Sequence, residues 1–212
     1  MQILSAADYL QLTQDARILE QDGFGVKVLA LTDGNILKLF RRKRLITSAA
    51  LWPYAKRFAT NATKLKQLGV PSPDILQLYK VPHIERDAVY YRPLPGLTLR
   101  QLQSSEHAAQ VPDNLFVLLA EFVAKLHHSG VYFRSIHFGN IVLTPEQQLG
   151  LIDIADLKTQ RRALSGHQRQ RNFKHMLRDS GDRAWLASAK YGDFAQHYQD
   201  LTGHPVPTLG LN

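Results

Sequence analysis

Asn140 and Asp153 are the residues whose types and spacing first suggest chemistry. They stand thirteen positions apart, at the two ends of a stretch that reads as a hairpin: Asn140-Ile-Val-Leu143, a turn Thr-Pro-Glu-Gln-Gln, then Leu149-Gly-Leu-Ile-Asp-Ile154. One polar residue at each end of a hairpin can converge on a single ion. An amide oxygen and a carboxylate are hard oxygen ligands of the kind Mg²⁺ takes alongside phosphate oxygens. Asp156, three positions further on, has two readings, an added metal ligand or the cap of the next helix, and the cap is preferred.

Charge agrees with an anionic ligand. The chain carries 26 Lys+Arg against 18 Asp+Glu, a formal net charge of +8, which favours nucleotide phosphates, nucleic acid or an acidic membrane surface as partner. The basic residues are bunched in Arg41 to Arg44, in Arg161-Arg162 and between His167 and His175, and the plainest reading of each run is a solvated face. His127-His128, at the end of an expected helix, reads as a pair near the C-terminal dipole rather than as a metal site. Cysteine is absent, which removes disulfides, thiolate zinc sites and cysteine nucleophiles and fits a reducing cytoplasm.

The N-terminus, MQILSAADYLQL, lacks the basic-then-apolar order of a signal peptide. The longest apolar candidate, Leu115 to Leu126, is broken by Glu121 and Lys125, so no helix is expected to span a membrane. The expected location is cytoplasmic, with contact to a membrane peripheral at most.

The elements that must position these residues are readable in outline. Gly25 to Leu31 and Asn35 to Phe40 are short apolar runs joined across Asp33-Gly34, a hairpin signal. Ala49 to Leu68 has helical periodicity and ends at Gly69, and Pro71 and Pro73 forbid its continuation. Strands are expected at Ile75 to Tyr79 and Ala88 to Tyr91, and Arg92-Pro-Leu-Pro-Gly96 marks a boundary between segments 1–92 and 93–212. In the second segment Thr98 to Gln103 reads as a short helix. Asp113 reads as the N-cap of an amphipathic helix with Leu115, Leu118, Leu119, Phe122 and Leu126 inward. After the Asn140–Ile154 hairpin the remainder is expected to be helical and basic.

This order of features resembles the protein-kinase-like superfamily, whose catalytic loop H-x-D-x-x-x-x-N precedes an Asp-containing metal hairpin. Ser135 to Asn140 matches the loop spacing. Gly23-Phe-Gly25-Val-Lys-Val28 resembles a shortened glycine-rich loop, and Lys38 in the next strand resembles the phosphate-binding lysine. Within the superfamily the chain is most similar to the bacterial lipopolysaccharide-core sugar kinases, the group of Kdo and heptose kinases and the related "toluene tolerance" proteins. The wording that carries this is Gly34-Asn-Ile-Leu-Lys-Leu-Phe-Arg-Arg-Lys-Arg44, Ile84-Glu-Arg-Asp-Ala-Val-Tyr-Tyr-Arg-Pro-Leu94, Gly130-Val-Tyr-Phe-Arg-Ser-Ile-His-Phe-Gly-Asn140 and Gly150-Leu-Ile-Asp-Ile-Ala-Asp156.

The resemblance implies an α+β, two-lobed kinase-like fold with a small β-rich N-lobe and a helical C-lobe. It implies ATP and Mg²⁺ as cofactors and a lipopolysaccharide-core sugar hydroxyl as acceptor. Gly23, Gly25 and Lys38 would hold phosphates, Asn140 and Asp153 the metal, and Lys38, Ser135, His137 and Asp153 would form the catalytic set. Arg41 to Arg44 read equally as a solvated face or as a contact for anionic inner-membrane lipid or a phosphorylated sugar acceptor.

Two departures stand against full activity. Ser135 occupies the place of the catalytic Asp and is no comparable base. A general base is worth about 10²–10⁴-fold, and phosphoryl transfer rests mainly on positioning and charge neutralisation. His137 is a substitute proton acceptor, although the family-like reading makes it a loop-structuring residue. The second departure is that no acidic residue lies between Leu51 and Leu68 to pair with Lys38; Asn61 is near the expected place. The metal motif is also altered, to Asp153-Ile-Ala155. A kinase-fold pseudoenzyme with a regulatory or scaffolding role is therefore the alternative. A basic nucleic-acid-binding protein ranks last, because no recognition-helix, stacking or zinc motif accompanies the charge.

Overall fold

The computed structural model describes residues 1–41, 53–189 and 191–208. It is α+β, with two compact units, Met1–Leu94 and Pro95–Asn212; the first is built on a sheet and the second is mainly helical.

In the first unit, strands β1 (Gln2–Ile3), β2 (Arg17–Asp22), β3 (Gly25–Ala30), β4 (Ile36–Arg41), β5 (Asp74–Val81) and β6 (Arg86–Arg92) form one sheet in the order β1-β5-β6-β4-β3-β2. All pairings are antiparallel except β1 with β5. The β3–β4 turn is the expected Asp-Gly hairpin. Gly34 takes φ +81°, and the Asp33 carboxylate accepts from the Asn35 N–H at 2.9 Å. Side chains alternate across the sheet. Leu29, Leu37, Leu39 and Ala88 gather with Leu4, Leu31 and Val81 into a core on one face, and helix α1 (Ala6–Leu12) adds Tyr9 and Leu12 to it.

The other face carries Phe40 and Tyr91. Helix α2 (Tyr54–Gln67) lies on it through Phe58, whose ring is 6.2 Å from that of Phe40 and 5.3 Å from that of Tyr91. The helix ends at Leu68 with Gly69 at φ +62°, as its sequence implied. The expected start at Ala49 lies outside the described residues.

The second unit opens with β7 (Leu97–Thr98) and the single turn α3 (Leu99–Leu102), which Thr98 and Gln101 close as a reciprocal capping box. Helix α4 (Leu115–His128) buries Leu115, Leu119, Phe122 and Leu126. Its N-cap is Asn114 rather than Asp113, and that residue makes no side-chain cap bond. Burial, not capping, sustains the helix. Strands β8 (Val131–Tyr132), β9 (Ile141–Leu143), β10 (Leu149–Leu151) and β11 (Lys158–Thr159) follow, with β7-β9-β10 in one small sheet and β8-β11 in another. Helices α5 (Gly166–Met176), α6 (Ser180–Ala189) and α7 (Tyr191–Thr202) complete the unit.

The segment after the hairpin is thus not wholly helical, because β11 returns to pair with β8. That return is tight at Gly130. With φ +70°, a side chain there would bring Cβ within 2.3 Å of the Gln160 carbonyl oxygen and 2.4 Å of that of Arg162.

Candidate active site

Residues 133–140 form the loop that carries Ser135, His137 and Asn140. Phe133, Ile136 and Phe138 are buried and anchor it, while Ser135 and His137 lie between them. Three further bonds fix its path. The Phe133 carbonyl accepts from the Asn172 amide at 2.7 Å, the Phe138 N–H donates to Asp182 at 3.3 Å, and the Asn140 N–H donates to the His137 carbonyl at 2.8 Å. Asp182 is fully buried on α6 and accepts also from Arg100 Nε and Nη2, at 3.1 and 2.6 Å, and from Gln103 at 3.0 Å. A buried carboxylate met by a guanidinium fork and further donors is a fixed post. It ties α3, α6 and the loop together.

The hairpin brings its two polar ends to the same place. Ile141 pairs with Leu151, and the Ile152 N–H donates to the Asn140 carbonyl at 3.0 Å, so Asp153 follows directly beyond Asn140's partner. Asn140 is buried, and its Nδ2 donates to the Ser135 carbonyl at 3.0 Å, which commits the amide's nitrogen end and sets its oxygen end apart. Asp153 adopts left-handed backbone, φ +51° and ψ +43°, and starts a short 3₁₀ turn over Ile154–Asp156. Left-handed backbone at a non-glycine residue is uncommon and costs of order 1–3 kcal/mol.

That turn carries Asp156 back toward the loop. The Ser135 hydroxyl donates to Asp156 Oδ2 at 2.8 Å, and Asp156 Oδ1 is buried with no hydrogen-bond partner. The expected helix cap is therefore not what Asp156 does: it ends the 3₁₀ turn facing Ser135. Burial raises its pKa above the ordinary value, Ser135's hydrogen bond opposes the rise, Asp153 adds to it, and Arg134 lowers it.

His137 stands beside Asn140, with Nε2 3.3 Å from the amide nitrogen. Since that nitrogen is a donor, Nε2 accepts and the ring proton sits on Nδ1, which is buried without a partner. A Cβ at Gly139 would come 3.1 Å from this Nδ1, so only glycine's bare backbone admits the ring comfortably. Burial, then Arg100, lower the His137 pKa, which keeps the ring neutral. Through Nε2 the ring helps hold the Asn140 amide in the loop.

In the first unit, Gly23-Phe24-Gly25 forms the β2–β3 turn. Asp22 accepts from the Phe24 N–H at 2.8 Å, and Gly25 takes φ +107°. Phe24 is exposed, with the Arg41 guanidinium 3.7 Å from its ring centroid and its carbonyl accepting from Arg86 at 2.6 Å. A Cβ on Gly23 or Gly25 would meet nothing within 4 Å, so the backbone there is open to an approaching group. Lys38 sits on β4, opposite Val28 and Val89, with Nζ 5.8 Å from the Phe40 ring centroid. Asn61 is buried on α2, whose Phe58 covers this same face. Asp87, also buried, is opposite Phe40 and so shares Lys38's face one pair along; sequence spacing gave no sign of it, because cross-strand register sets it.

A second set of residues escaped the sequence reading. His127 lies in the last turn of α4, as expected, but is fully buried: Nε2 is 2.9 Å from Asn172 Oδ1 and Nδ1 is 2.6 Å from the Tyr198 hydroxyl. Arg169 is buried too and donates to the same hydroxyl at 2.9 Å, so one residue of the presumed solvated run faces inward. Burial, the main cause, pulls the His127 pKa down to about 4. Asn172 joins this network to the Phe133 carbonyl and hence to the loop.

Among the described residues no three His, Cys, Asp or Glu side chains are grouped to hold a metal ion, and no helix is long and apolar enough to cross a membrane.

No protein-family model and no curated protein matches the chain. Solved structures do match. One of the bifunctional kinase-methyltransferase WbdD is 16% identical, covering 84% of this chain and 42% of that one, with TM-score 0.46. A co-crystal structure of WbdD with a kinase inhibitor is 15% identical over 87% of this chain and 45% of that one, with TM-score 0.49. The chain spans less than half the length of these proteins.

Proposed function

We propose that this chain is an ATP-dependent phosphotransferase of the protein-kinase-like kind, acting on a sugar hydroxyl of the lipopolysaccharide inner core. The observation that carries the reading is the joining of the loop to the hairpin: the Ile152 N–H on the Asn140 carbonyl and the Asn140 amide on the Ser135 carbonyl. An amide oxygen, a carboxylate and a hydroxyl are thereby held on one small, strained framework. A two-ligand amide and carboxylate set suits Mg²⁺, which keeps waters and takes phosphate oxygens rather than an all-protein cage.

In this reading the open backbone of Gly23–Gly25 and Lys38 bind the phosphates, and Asn140 and Asp153 would hold Mg²⁺. When bound, the metal neutralises charge on the transferred group. Ser135 orients the acceptor hydroxyl, and His137 holds Asn140 and the loop in place. Anionic inner-membrane lipid is a proposed accessory contact. The pseudoenzyme alternative rests on Ser135 and on Asn61, which stands near the place of an acidic partner for Lys38, and turnover separates the two.

The test is thermal unfolding with and without Mg·ATP, on the natural chain and on Lys38→Ala and Asp153→Ala. At about 100 times its Kd the ligand adds roughly 2.7 kcal/mol, a rise of about 5–10 °C. Both substitutions should diminish it. No shift at millimolar Mg·ATP overturns nucleotide binding, and acceptor-independent silence in ADP release with core oligosaccharide present identifies a pseudoenzyme.

A further inference from the structure

We propose that Asp156 is the proton-accepting partner of Ser135, supplying from the hairpin the carboxylate that the loop lacks at position 135. The inference rests on the phosphotransfer reading and concerns how the acceptor hydroxyl is activated.

The geometry begins at Asp153. Its left-handed backbone starts the 3₁₀ turn that ends at Asp156, and Asp156 Oδ2 accepts the Ser135 hydroxyl at 2.8 Å. Ser135 has one proton to donate, and this bond commits it. What remains on Oγ is acceptor capacity. A hydroxyl that approaches Ser135 must therefore donate to it, which leaves its own oxygen lone pairs directed elsewhere, as an attacking alcohol requires. A serine without Asp156 would be equally free to donate to the alcohol and misorient it.

The proton balance follows. As the acceptor oxygen forms its bond to the γ-phosphorus, the bond from that phosphorus to the bridging oxygen breaks, and its electron pair leaves on ADP. The acceptor's proton passes to Ser135 Oγ while the Ser135 proton passes to Asp156 Oδ2, and Asp156 later releases it to water. Asp156 acts through Ser135 and is a positioning residue in that sense.

Its surroundings suit the task. Oδ1 is buried without a hydrogen-bond partner. Ser135 and Arg134 favour the charged form, while burial and Asp153 oppose it, and the balance lies on the raised side. His175 also senses Asp156, which partly offsets the lowering of its own pKa by burial and Arg134. A carboxylate raised in this way is a better proton acceptor than an ordinary one.

Three variants test the proposal: Asp156→Asn, Ser135→Ala, and Ser135→Asp placed in the Asp156→Asn background. ADP release is followed with Mg·ATP and purified core oligosaccharide. Asp156→Asn keeps an acceptor oxygen for Ser135 but no base, and should lose about 10²–10⁴-fold in kcat while retaining the Mg·ATP thermal shift. Ser135→Asp should restore most of the loss, because it returns a carboxylate to the loop. A merely structural Asp156 would not be rescued. Ser135→Ala should be as slow as Asp156→Asn, which keeps the test decisive if the latter does not fold.

A readout independent of turnover is the side-chain carboxyl NMR signal of Asp156, assigned by its loss in Asp156→Asn. It should titrate above the ordinary Asp value and move further up in Ser135→Ala, because the hydrogen bond that favours the carboxylate is gone. Wild-type rates in Asp156→Asn, absence of rescue, or a signal indifferent to Ser135 each overturn the relay and leave phosphotransfer standing. A natural chain stabilised by Mg·ATP but releasing no ADP overturns the relay as well, and one with no Mg·ATP shift overturns the parent reading first.

Discussion

Burial decides what His127 does. With Asn172 donating its amide hydrogen to the Phe133 carbonyl, the Asn172 oxygen must accept, so His127 carries its proton on Nε2 and takes the Tyr198 hydroxyl hydrogen on Nδ1. Every group in this chain is satisfied only while the imidazole is neutral. Folded, His127 protonates near pH 4; unfolded, it protonates near 6.5. Between those values the unfolded chain holds the extra proton, so stability falls as pH falls, by about 1.4 kcal/mol per unit, and the loss ends once both states are protonated. The full cost is on the order of 3 kcal/mol. Unfolding midpoints in urea should therefore drop steadily from pH 6.5 to 4, and His127→Gln should flatten that part of the profile. A slope unchanged in His127→Gln would assign the acid sensitivity to other groups.

The same residue shows where sequence reading stops. The hairpin between Asn140 and Asp153 was legible because its two strands and turn are neighbours in sequence. His127, Asn172 and Tyr198 meet across separations of 45 and 71 positions, and Asp182 reaches Phe138 across 44; no local period encodes such pairs. Asp156 was misread for a different reason. Its direction is set by left-handed backbone at Asp153, and nothing in Asp-Ile-Ala-Asp announces that conformation at a non-glycine residue.

At the scale of elements, those with strong local signals were readable and those held by distant partners were not. The Asp-Gly hairpin, the capped turn at Thr98 and the buried stripe of α4 were visible because each rests on neighbours in sequence. Strand β2 was not, since all six of its residues are exposed and its run Arg-Ile-Leu-Glu-Gln-Asp does not alternate. The two-residue strands β1, β7, β8 and β11 are too short to carry a period, and exist because a partner strand passes by. Gly130 is where that kind of long-range pairing becomes a local requirement. It must bring α4's end into β8 with the β11 return lying against its bare Cα. Gly130→Ala would combine positive-φ strain with overlap against two carbonyl oxygens, a loss of about 2–3 kcal/mol. Urea denaturation should show it as a lower midpoint at unchanged slope. Gly23→Ala, where a Cβ meets nothing, is the matched control and should stay close to the natural chain.

At the scale of the whole molecule, the charge of +8 is divided between inward and outward uses. Arg169 is consumed by the Tyr198 network, whereas Arg161, Arg162, Arg171, Lys174 and Arg178 are exposed within one stretch of the second unit. Exposed cations near an anionic bilayer are worth about 1 kcal/mol each and act within a Debye length of about 8 Å at physiological salt. Under the proposed function, such a patch is a proposed contact with the membrane surface. Vesicles containing phosphatidylglycerol should therefore sediment the protein, vesicles of phosphatidylcholine alone should not, and binding should fade as salt is raised. Arg161→Glu/Arg162→Glu should weaken sedimentation without altering the Mg·ATP thermal shift, because neither residue belongs to the loop or the hairpin. Duplex DNA supplies the contrast: a nucleic-acid binder would show log K falling with log salt by about 0.9 per phosphate contact, and would prefer DNA to vesicles at equal ionic strength. That preference would assign the +8 charge to nucleic-acid binding rather than to the proposed membrane contact, and would count against a lipopolysaccharide acceptor.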